Sequence, residues 1–184
     1  MEIAGFIVGI VVAVIVVVLI LAVTKPAKFR VERSTSIRAL PEKIFPLIND
    51  FRRWASWSPY ERLDPDMKKT HSGAESGKGA VYEWEGNNKA GQGRMEIMDT
   101  TPPSQVVIQL DFVKPFKSHM TAEFMLLPAG EDTNVTWATY GPNTFMARVM
   151  GIFVNMDNMI GRDFEAGLAN LKSESEKEAA APTT

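Results

Sequence analysis

The stretch Gly79–Asn87 (Gly-Ala-Val-Tyr-Glu-Trp-Glu-Gly-Asn) decides the fold, because it shows a strand running into a turn. Ala80, Tyr82 and Trp84 recur at every second position, so their side chains share one face of a β-strand. Glycine and asparagine dominate residues 86–91, a composition typical of a hairpin turn. The segment therefore predicts one strand of an antiparallel sheet with an aromatic inner face.

Short strand patterns continue on both sides of this hairpin. Two short helices are predicted after the first strand, one beginning at Pro41 and the other over Phe51–Trp57. About six or seven strands with hairpin spacing predict one antiparallel sheet. The other candidate strands cover 29–39, 67–72, 94–99, 105–113, 118–127 and 134–140.

The apolar period changes from two to three and four after the last strand. This change predicts one long amphipathic helix over 144–173, and Gly151 or Gly161 is the position near which it could be interrupted. A sheet must bury one face, and this helix is the largest element available to cover it. The predicted fold class is α+β, with a curved sheet wrapped on a long C-terminal helix.

The N-terminal segment Ile3–Val23 contains no charged residue and predicts a transmembrane helix. At 1.5 Å per residue it spans roughly 31 Å, close to the hydrocarbon thickness of a bilayer. A cleaved signal peptide is the alternative. It is disfavoured because the segment is preceded by Glu2 rather than by lysine or arginine, and because no small-x-small cleavage site follows.

Charge around this helix predicts its orientation and the division of the chain. Basic residues follow the helix and none precedes it, so the positive-inside rule predicts a single-pass cell-membrane protein with a cytoplasmic C-terminal domain. We expect an anchor over 1–25, a folded domain over 26–173 and a disordered tail over 174–184. The basic residues that follow the helix are Lys25, Lys28, Arg30 and Arg33.

Composition excludes several functional classes. The chain has 20 basic and 22 acidic residues, and all but one of them follow the apolar helix. The domain is therefore almost neutral, which argues against a nucleic-acid partner. The chain has no cysteine, which excludes disulfides, thiol nucleophiles and thiolate metal sites.

The inner face of the predicted sheet and the apolar stripe of the long helix supply the candidate ligand-binding residues. They are aromatic, aliphatic or methionine side chains, and they form either a filled core or a cavity for an apolar ligand. These candidates are Tyr82, Trp84, Met95, Ile97, Leu110, Phe112, Phe124, Trp137, Phe153, Met156 and Ile160.

The sequence offers few candidate catalytic residues. His119 lies out of phase with its apolar strand neighbours and is expected to face solvent, and the stretch 64–66 (Asp-Pro-Asp) is interpreted as an exposed acidic turn. Tyr60 and Tyr82 are the most plausible general acids or bases, together with an acidic residue in the pocket, but no pattern singles one out. No catalytic constellation, metal site or cofactor is predicted.

Four stretches of the chain together resemble one known superfamily. They are Pro41–Asp50, Phe51–Tyr60, Gly79–Asn87 with Gly91–Met95, and Asp157–Leu168. In this order they are similar to the first helix, the tryptophan-bearing second helix, the central hairpin and the long helix of the SRPBCC superfamily, the START/Bet v 1-like helix-grip proteins. The polyketide cyclase/dehydrase branch is the most similar, and the resemblance covers about residues 29–172.

The resemblance implies a helix-grip fold, here preceded by one transmembrane helix. It also implies an apolar ligand between the sheet and the long helix, held by the candidate residues named above. The superfamily includes lipid carriers, receptors and cyclases, so the fold alone does not specify the activity.

Three functions are compatible with the sequence. The first is a membrane-anchored module that binds a lipid or other hydrophobic small molecule. The second is a protein-interaction or stress-response module that uses the outer face of the sheet. The third is a cyclase- or hydrolase-type enzyme, disfavoured because no catalytic constellation is recognised.

Overall fold

The computed structural model describes the backbone of residues 2–180 and the side chains of residues 6–7 and 9–177. Helix α1 (Glu2–Thr24) precedes a domain of seven strands, α2 (Pro41–Asn49), two short 3₁₀ helices (Phe51–Ser56 and Pro59–Arg62), α3 (Phe145–Phe153) and α4 (Met156–Ala180). The strands are β1 (Lys28–Ile37), β2 (Lys68–Gly73), β3 (Ala80–Glu85), β4 (Gln92–Thr101), β5 (Gln105–Lys114), β6 (Ser118–Ala129) and β7 (Asp132–Pro142).

All seven strands form one antiparallel sheet with the order β1-β7-β6-β5-β4-β3-β2. The strands from β2 to β7 follow one another as hairpins, and β1 closes the other edge by pairing with β7. Lys28 lies opposite Pro142, and Ile37 lies opposite Thr133. The α+β prediction is confirmed, and the sheet with its C-terminal helices fits the helix-grip architecture.

Aromatic rings fill the centre of the concave face. The Trp137 ring lies between Phe124 of β6 and Phe164 of α4, with centroid distances of 4.9 Å and 4.1 Å. Trp54 and Trp57, from the first 3₁₀ helix and the residue that follows it, approach the Trp137 ring nearly edge-on. Offset stacking and edge contacts are the geometries that aromatic quadrupoles favour, so this cluster joins helix α4 to the sheet.

The same two tryptophans also donate hydrogen bonds to backbone carbonyls at the buried end of α2. The indole N–H of Trp54 donates to the Ile48 carbonyl, and that of Trp57 donates to the Leu47 carbonyl, both at 2.9 Å. The last carbonyls of a helix have no partner within the helix, and leaving them unpaired in a core is costly. The aromatic pair therefore both packs the core and ends the helix.

Arg33 ties the other side of α4 to β1. Its Nε donates to the Glu165 carboxylate at 2.8 Å, and its Nη2 donates to Asp157 at 3.0 Å. Gly161 lies between these two acidic residues in α4. A Cβ at Gly161 would lie 2.0 Å from the Arg33 Nη2 atom, so the glycine makes room for the guanidinium.

The region predicted as one long helix over 144–173 contains two helices, and the interruption follows Phe153, close to Gly151. Val154 adopts extended backbone angles, and the Asn155 side chain accepts a hydrogen bond from the Asn158 N–H at 3.0 Å. An asparagine in this position acts as an N-cap and starts a new helix. The break thus lies between the two expected positions, Gly151 and Gly161, and it allows α3 to pack against α1 rather than against the sheet.

Helix α4 extends beyond Ser173, where the sequence analysis places a disordered tail. Ser175 is fully buried and donates to the Leu171 carbonyl, and Lys172 lies 3.7 Å from Glu176 one turn later. These contacts carry the helix to Ala180. Residues 181–184 of the expected tail lie outside the described residues.

Helix α1 projects from the sheet as a separate element whose tertiary contacts are with α3. Most of its described side chains are apolar and exposed, whereas Ala22 is buried. Across the residues with described side chains, which in α1 exclude 2–5 and 8, no helix is both long and apolar enough to cross a membrane. The transmembrane helix therefore stays a prediction.

Two helical glycines provide a matched test of the packing of α4 on Trp137. A Cβ at Gly167 would lie 2.6 Å from the Trp137 ring, whereas a Cβ at Gly151 of α3 would meet nothing closer than 4.0 Å. We expect Gly167→Ala to destabilise the fold by about 1–3 kcal/mol through overpacking. Gly151→Ala is expected to be neutral or stabilising, by up to about 1 kcal/mol of helix propensity. Thermal unfolding of the full chain measures both, and equal midpoints would contradict this packing.

The contacts of Arg33 with Asp157 and Glu165 predict that the stability of the fold depends on pH. Hydrogen bonding to Arg33 lowers the pKa of Asp157 below its ordinary value of 3.8, so the unfolded chain binds this proton more tightly than the folded chain. The stabilisation is therefore present above the ordinary value and is lost as the pH falls through the lowered pKa. We expect the unfolding midpoint to fall more steeply below about pH 4 in the natural chain than in Asp157→Asn. Parallel pH profiles would show that the pair does not contribute.

Candidate functional site

The concave face of the sheet is sealed at one end and open at the other. Along β5, Val106 and Ile108 are fully buried, whereas Leu110 and Phe112 are half-buried although all four share one face. The exposed fraction therefore rises towards Lys114, the last residue of the strand.

Strand β6 shows the same gradient in the antiparallel direction. Leu126 and Phe124 are fully buried, and Met120 and Ser118 at the beginning of the strand are half-buried. Gly141, at the end of the neighbouring strand β7, is also half-buried and presents no side chain. The open end of the concave face thus coincides with the beginning of β1, where α1 joins the domain. We call this opening the mouth, and define it by Leu110, Phe112, Met120, Gly141 and Ile160 of α4.

The sheet residues chosen from the sequence all lie on the concave face. Most of them are buried within the core, and only Leu110 and Phe112 reach the mouth. Their role in ligand binding remains a prediction. The eight residues are Tyr82, Trp84, Met95, Ile97, Leu110, Phe112, Phe124 and Trp137.

The three ligand-binding candidates on the helices differ in how far they are exposed. Ile160 is half-buried and packs against the core, so it borders the mouth. Phe153 and Met156 are 73% and 40% exposed and do not belong to the core. Their expected position is wrong because the break after α3 turns Phe153 away from the sheet and leaves Met156 at the exposed start of α4.

Trp84 is a packing residue at the far side of the mouth. Its Nε1 donates to the Ala90 carbonyl at 3.0 Å, and its ring contacts Phe112 edge-on at 5.4 Å. A Cβ on Gly93 would lie 2.4 Å from the Trp84 ring, so that glycine supplies the space the indole occupies. The indole therefore contributes to the stability of the hairpin whether or not it touches a ligand.

Two open depressions lie on the surface. The first measures about 330 Å³ and is next to the mouth, at the β5–β6 hairpin, where Asp111, Phe112, Val113, Lys117, Ser118 and His119 line it. The second measures about 320 Å³ and lies beside α2, lined by Phe45, Pro46, Asn49, Asp50, Arg53 and Ser76. Neither lies between the aromatic cluster and α4, where the rings fill the space.

Tyr60, which packs against the core, and Asp163 of α4 are half-buried polar residues. The Tyr60 ring packs edge-on against Trp137 at 6.2 Å. Burial raises the pKa of the Tyr60 hydroxyl above its ordinary value, and the charge of Asp163 raises it further. Burial also raises the pKa of the Asp163 carboxyl. Both shifts favour the neutral form of the group.

Tyr82 has a partner that sequence patterns do not reveal. Its hydroxyl donates to Glu61 at 2.7 Å, and Lys69 of the edge strand pairs with the same carboxylate. Burial raises the pKa of Tyr82 well above its ordinary value, and the Glu61 hydrogen bond raises it further. Glu61 lies eight residues before Lys69 and 21 before Tyr82 along the chain, so no local spacing could have predicted this group.

Other polar candidates have structural roles. His119 lies on the outer face, as predicted, and pairs with Asp111. Asp64 is buried rather than exposed, because its carboxylate accepts from the N–H groups of Asp66 and Asn87 and so supports the β3–β4 turn. Among the described residues, no group of histidine, aspartate and glutamate side chains is arranged to hold a metal ion.

Solved structures of several proteins share this fold. Mll3558 from Rhizobium loti is 20% identical, with a TM-score of 0.54 and coverage of 80% of this chain and 96% of its own. CV1439 from Chromobacterium violaceum is 14% identical, with a TM-score of 0.56 and coverage of 83% and 99%. The di-domain ARO/CYC protein BexL of the BE-7585A biosynthetic pathway is 14% identical, with a TM-score of 0.61 and coverage of 88% and 53%. At these identities the similarity establishes the fold alone.

The sequence provides the more specific assignment. No curated protein matches the chain. Residues 28–176 match the family described as polyketide cyclase / dehydrase and lipid transport, a range that begins with β1 and ends inside α4. Because the match spans the whole sheet and the helices that cover it, the chain belongs to the polyketide cyclase / dehydrase and lipid transport family.

Proposed function

We propose that the chain is a membrane-anchored module that binds a lipid or another apolar small molecule at the mouth of the concave face. The observation that carries the proposal is the gradient of burial along β5 and β6. Apolar side chains remain accessible at one end of a face that is otherwise sealed. An apolar recess bordered by a few polar groups is the usual form of a small-molecule site.

The position of the mouth supports an anchored carrier. The opening faces the end of the sheet at which α1 joins β1. The exposed side chains of α1 are apolar, and water solvates such a surface poorly. A bilayer around α1 would cover that surface, and would hold the mouth near a supply of apolar molecules. The basic residues after α1 favour a cytoplasmic domain.

A cyclase-type enzyme is the second candidate, and Tyr60 with Asp163 favours it. Both groups have a raised pKa and lie beside the packed core, where a proton donor is useful. The two candidates differ in the fate of the ligand. A carrier returns it with an unchanged mass, whereas a cyclase or dehydrase returns a product of altered structure.

The outer face of the sheet is the surface that a protein-interaction or stress-response module would use. Its polar side chains are paired with one another, as Arg94 with Glu96 and Gln105 with Glu123. A self-paired polar face has little unmet binding capacity. The protein-interaction function stays a prediction without a specific observation in its favour.

Two methionines on β6 provide a test of ligand binding at the mouth. Met120 points into the mouth, and Met125 lies on the outer face of the same strand. We expect Met120→Trp to fill the opening and to weaken binding of a fluorescent fatty acid by about tenfold or more, which corresponds to about 1.4 kcal/mol. Fluorescence titration of the full chain measures the affinity.

Met125→Trp is the matched control and is expected to bind like the natural chain. Thermal midpoints of both variants verify that each is folded. Equal affinity in the two variants would place the ligand elsewhere. Mass spectrometry of the recovered ligand, with Asp163→Asn as a comparison, separates the carrier from the enzyme.

The anchor is tested by membrane fractionation. We expect the full chain to remain with membranes after washing with alkaline carbonate, because an apolar spanning helix is released only by detergent. A reporter fused after Thr184 is expected to be active only on the cytoplasmic side. A chain released by carbonate would refute the anchor, and a reporter active only outside would reverse the orientation.

A further inference from the structure

Helix α3 exposes an apolar surface that the domain does not cover. The helix has nine residues, and none of them is buried. Four large apolar side chains point to solvent, and Phe153 is the most exposed of them. The four are Phe145, Met146, Met150 and Phe153.

Contacts with α1 fix the position of α3. Val18 and Ala22, one turn apart on α1, are half-buried and buried, while the side chains around them are exposed. The Lys25 ammonium donates to the Gly151 carbonyl of α3 at 2.7 Å. Helix α3 therefore lies beside the last turns of α1. If α1 spans a bilayer, these turns lie where the acyl chains meet the headgroups.

The β5–β6 hairpin adds a second apolar element at the same end of the domain. Phe116 at its tip is 65% exposed, and Val113 before it is also exposed. The register places the hairpin there, because β6 begins beside the end of β7, and β7 ends opposite Lys28 at the start of β1. We call the exposed side chains of α3 together with Phe116 the basal surface.

The charges around the basal surface are mainly positive. Lys28, Lys114 and Lys117 have no ion pair with any described residue. The acidic Asp157 nearby is already held by Arg33. The end of the domain from which α1 emerges therefore has basic groups available for anionic partners.

We propose that the basal surface is a membrane-contact surface for a bilayer that contains anionic headgroups. Helix α3 lies at the interface, with its phenylalanine and methionine side chains among the acyl chains and its basic neighbours at the phosphates. The proposal rests on the anchoring of α1 proposed above. It adds that the mouth opens onto the lipid surface, so that an apolar ligand reaches the concave face without crossing water.

Site-directed labelling tests this proposal directly, since the natural chain has no cysteine. The full chain is placed in nanodiscs of phosphatidylcholine, with or without phosphatidylglycerol. Fluorophores are attached to Phe116→Cys, Met146→Cys and Phe153→Cys. Leu127→Cys, an exposed apolar position at the opposite end of β6, is the matched control.

Quenching by lipids that carry a spin label near the headgroup is measured at each position. We expect at least about threefold more quenching at the three basal positions than at Leu127→Cys. Phosphatidylglycerol is expected to increase the quenching at the three basal positions. This increase should be lost in Lys117→Glu but kept in Lys78→Glu, which lies in the turn at the far end of β3.

A label at Ile15→Cys in α1, measured with lipids that carry the spin label near the end of the acyl chain, separates the two proposals. One outcome is quenching at Ile15→Cys together with basal labels that are quenched no more than Leu127→Cys. That outcome would overturn the membrane-contact surface but would leave the membrane anchor supported. No quenching at Ile15→Cys would overturn both. Basal labels quenched by a second labelled copy, but not by lipid, would identify a dimer interface and overturn the proposal.

Discussion

The two indole hydrogen bonds at the end of α2 are the constraint on which the rest of the core depends. They hold Trp54 and Trp57 against the Ile48 and Leu47 carbonyls. The rings so placed meet Trp137 edge-on, and Trp137 in turn stacks on α4. Removing either donor would leave a buried carbonyl unpaired, at a cost of about 1–3 kcal/mol in addition to the lost packing. Short helices, sheet and long helix are thus joined through one cluster of rings.

The core and the mouth occupy opposite ends of the concave face, and only the mouth is proposed to bind a ligand. The sealed end holds the large rings in fixed contacts, while the open end carries flexible or small residues such as Met120 and Gly141. Methionine adapts to guests of irregular shape, and glycine leaves room for them. A ligand at the mouth would therefore not have to displace the aromatic cluster.

Alternation along the strands was sufficient to predict the sheet and its inner face, because the buried side chains follow the period of two with few exceptions, such as Ala138 of β7. The helix break was not predictable in the same way. Phe153 and Met156 continue the apolar spacing across the break, while the backbone is interrupted by the cap at Asn155. The pairing of Tyr82 with Glu61 depends on a contact between distant segments, and the basal surface depends on how α3 meets α1. Such features arise from tertiary packing, which a local period does not encode.

The pairing of β1 with β7 has a consequence for the order in which the protein is made. Synthesis produces α1 and β1 first, yet Lys28 of β1 can pair with Pro142 of β7 only after Pro142 has left the ribosome. Until then the first strand has an open edge, and the hairpins from β2 to β6 form without it. Such non-local pairing makes folding slow and exposes apolar surface on the way. The segment that forms α1 is thus synthesised well before the domain behind it can close.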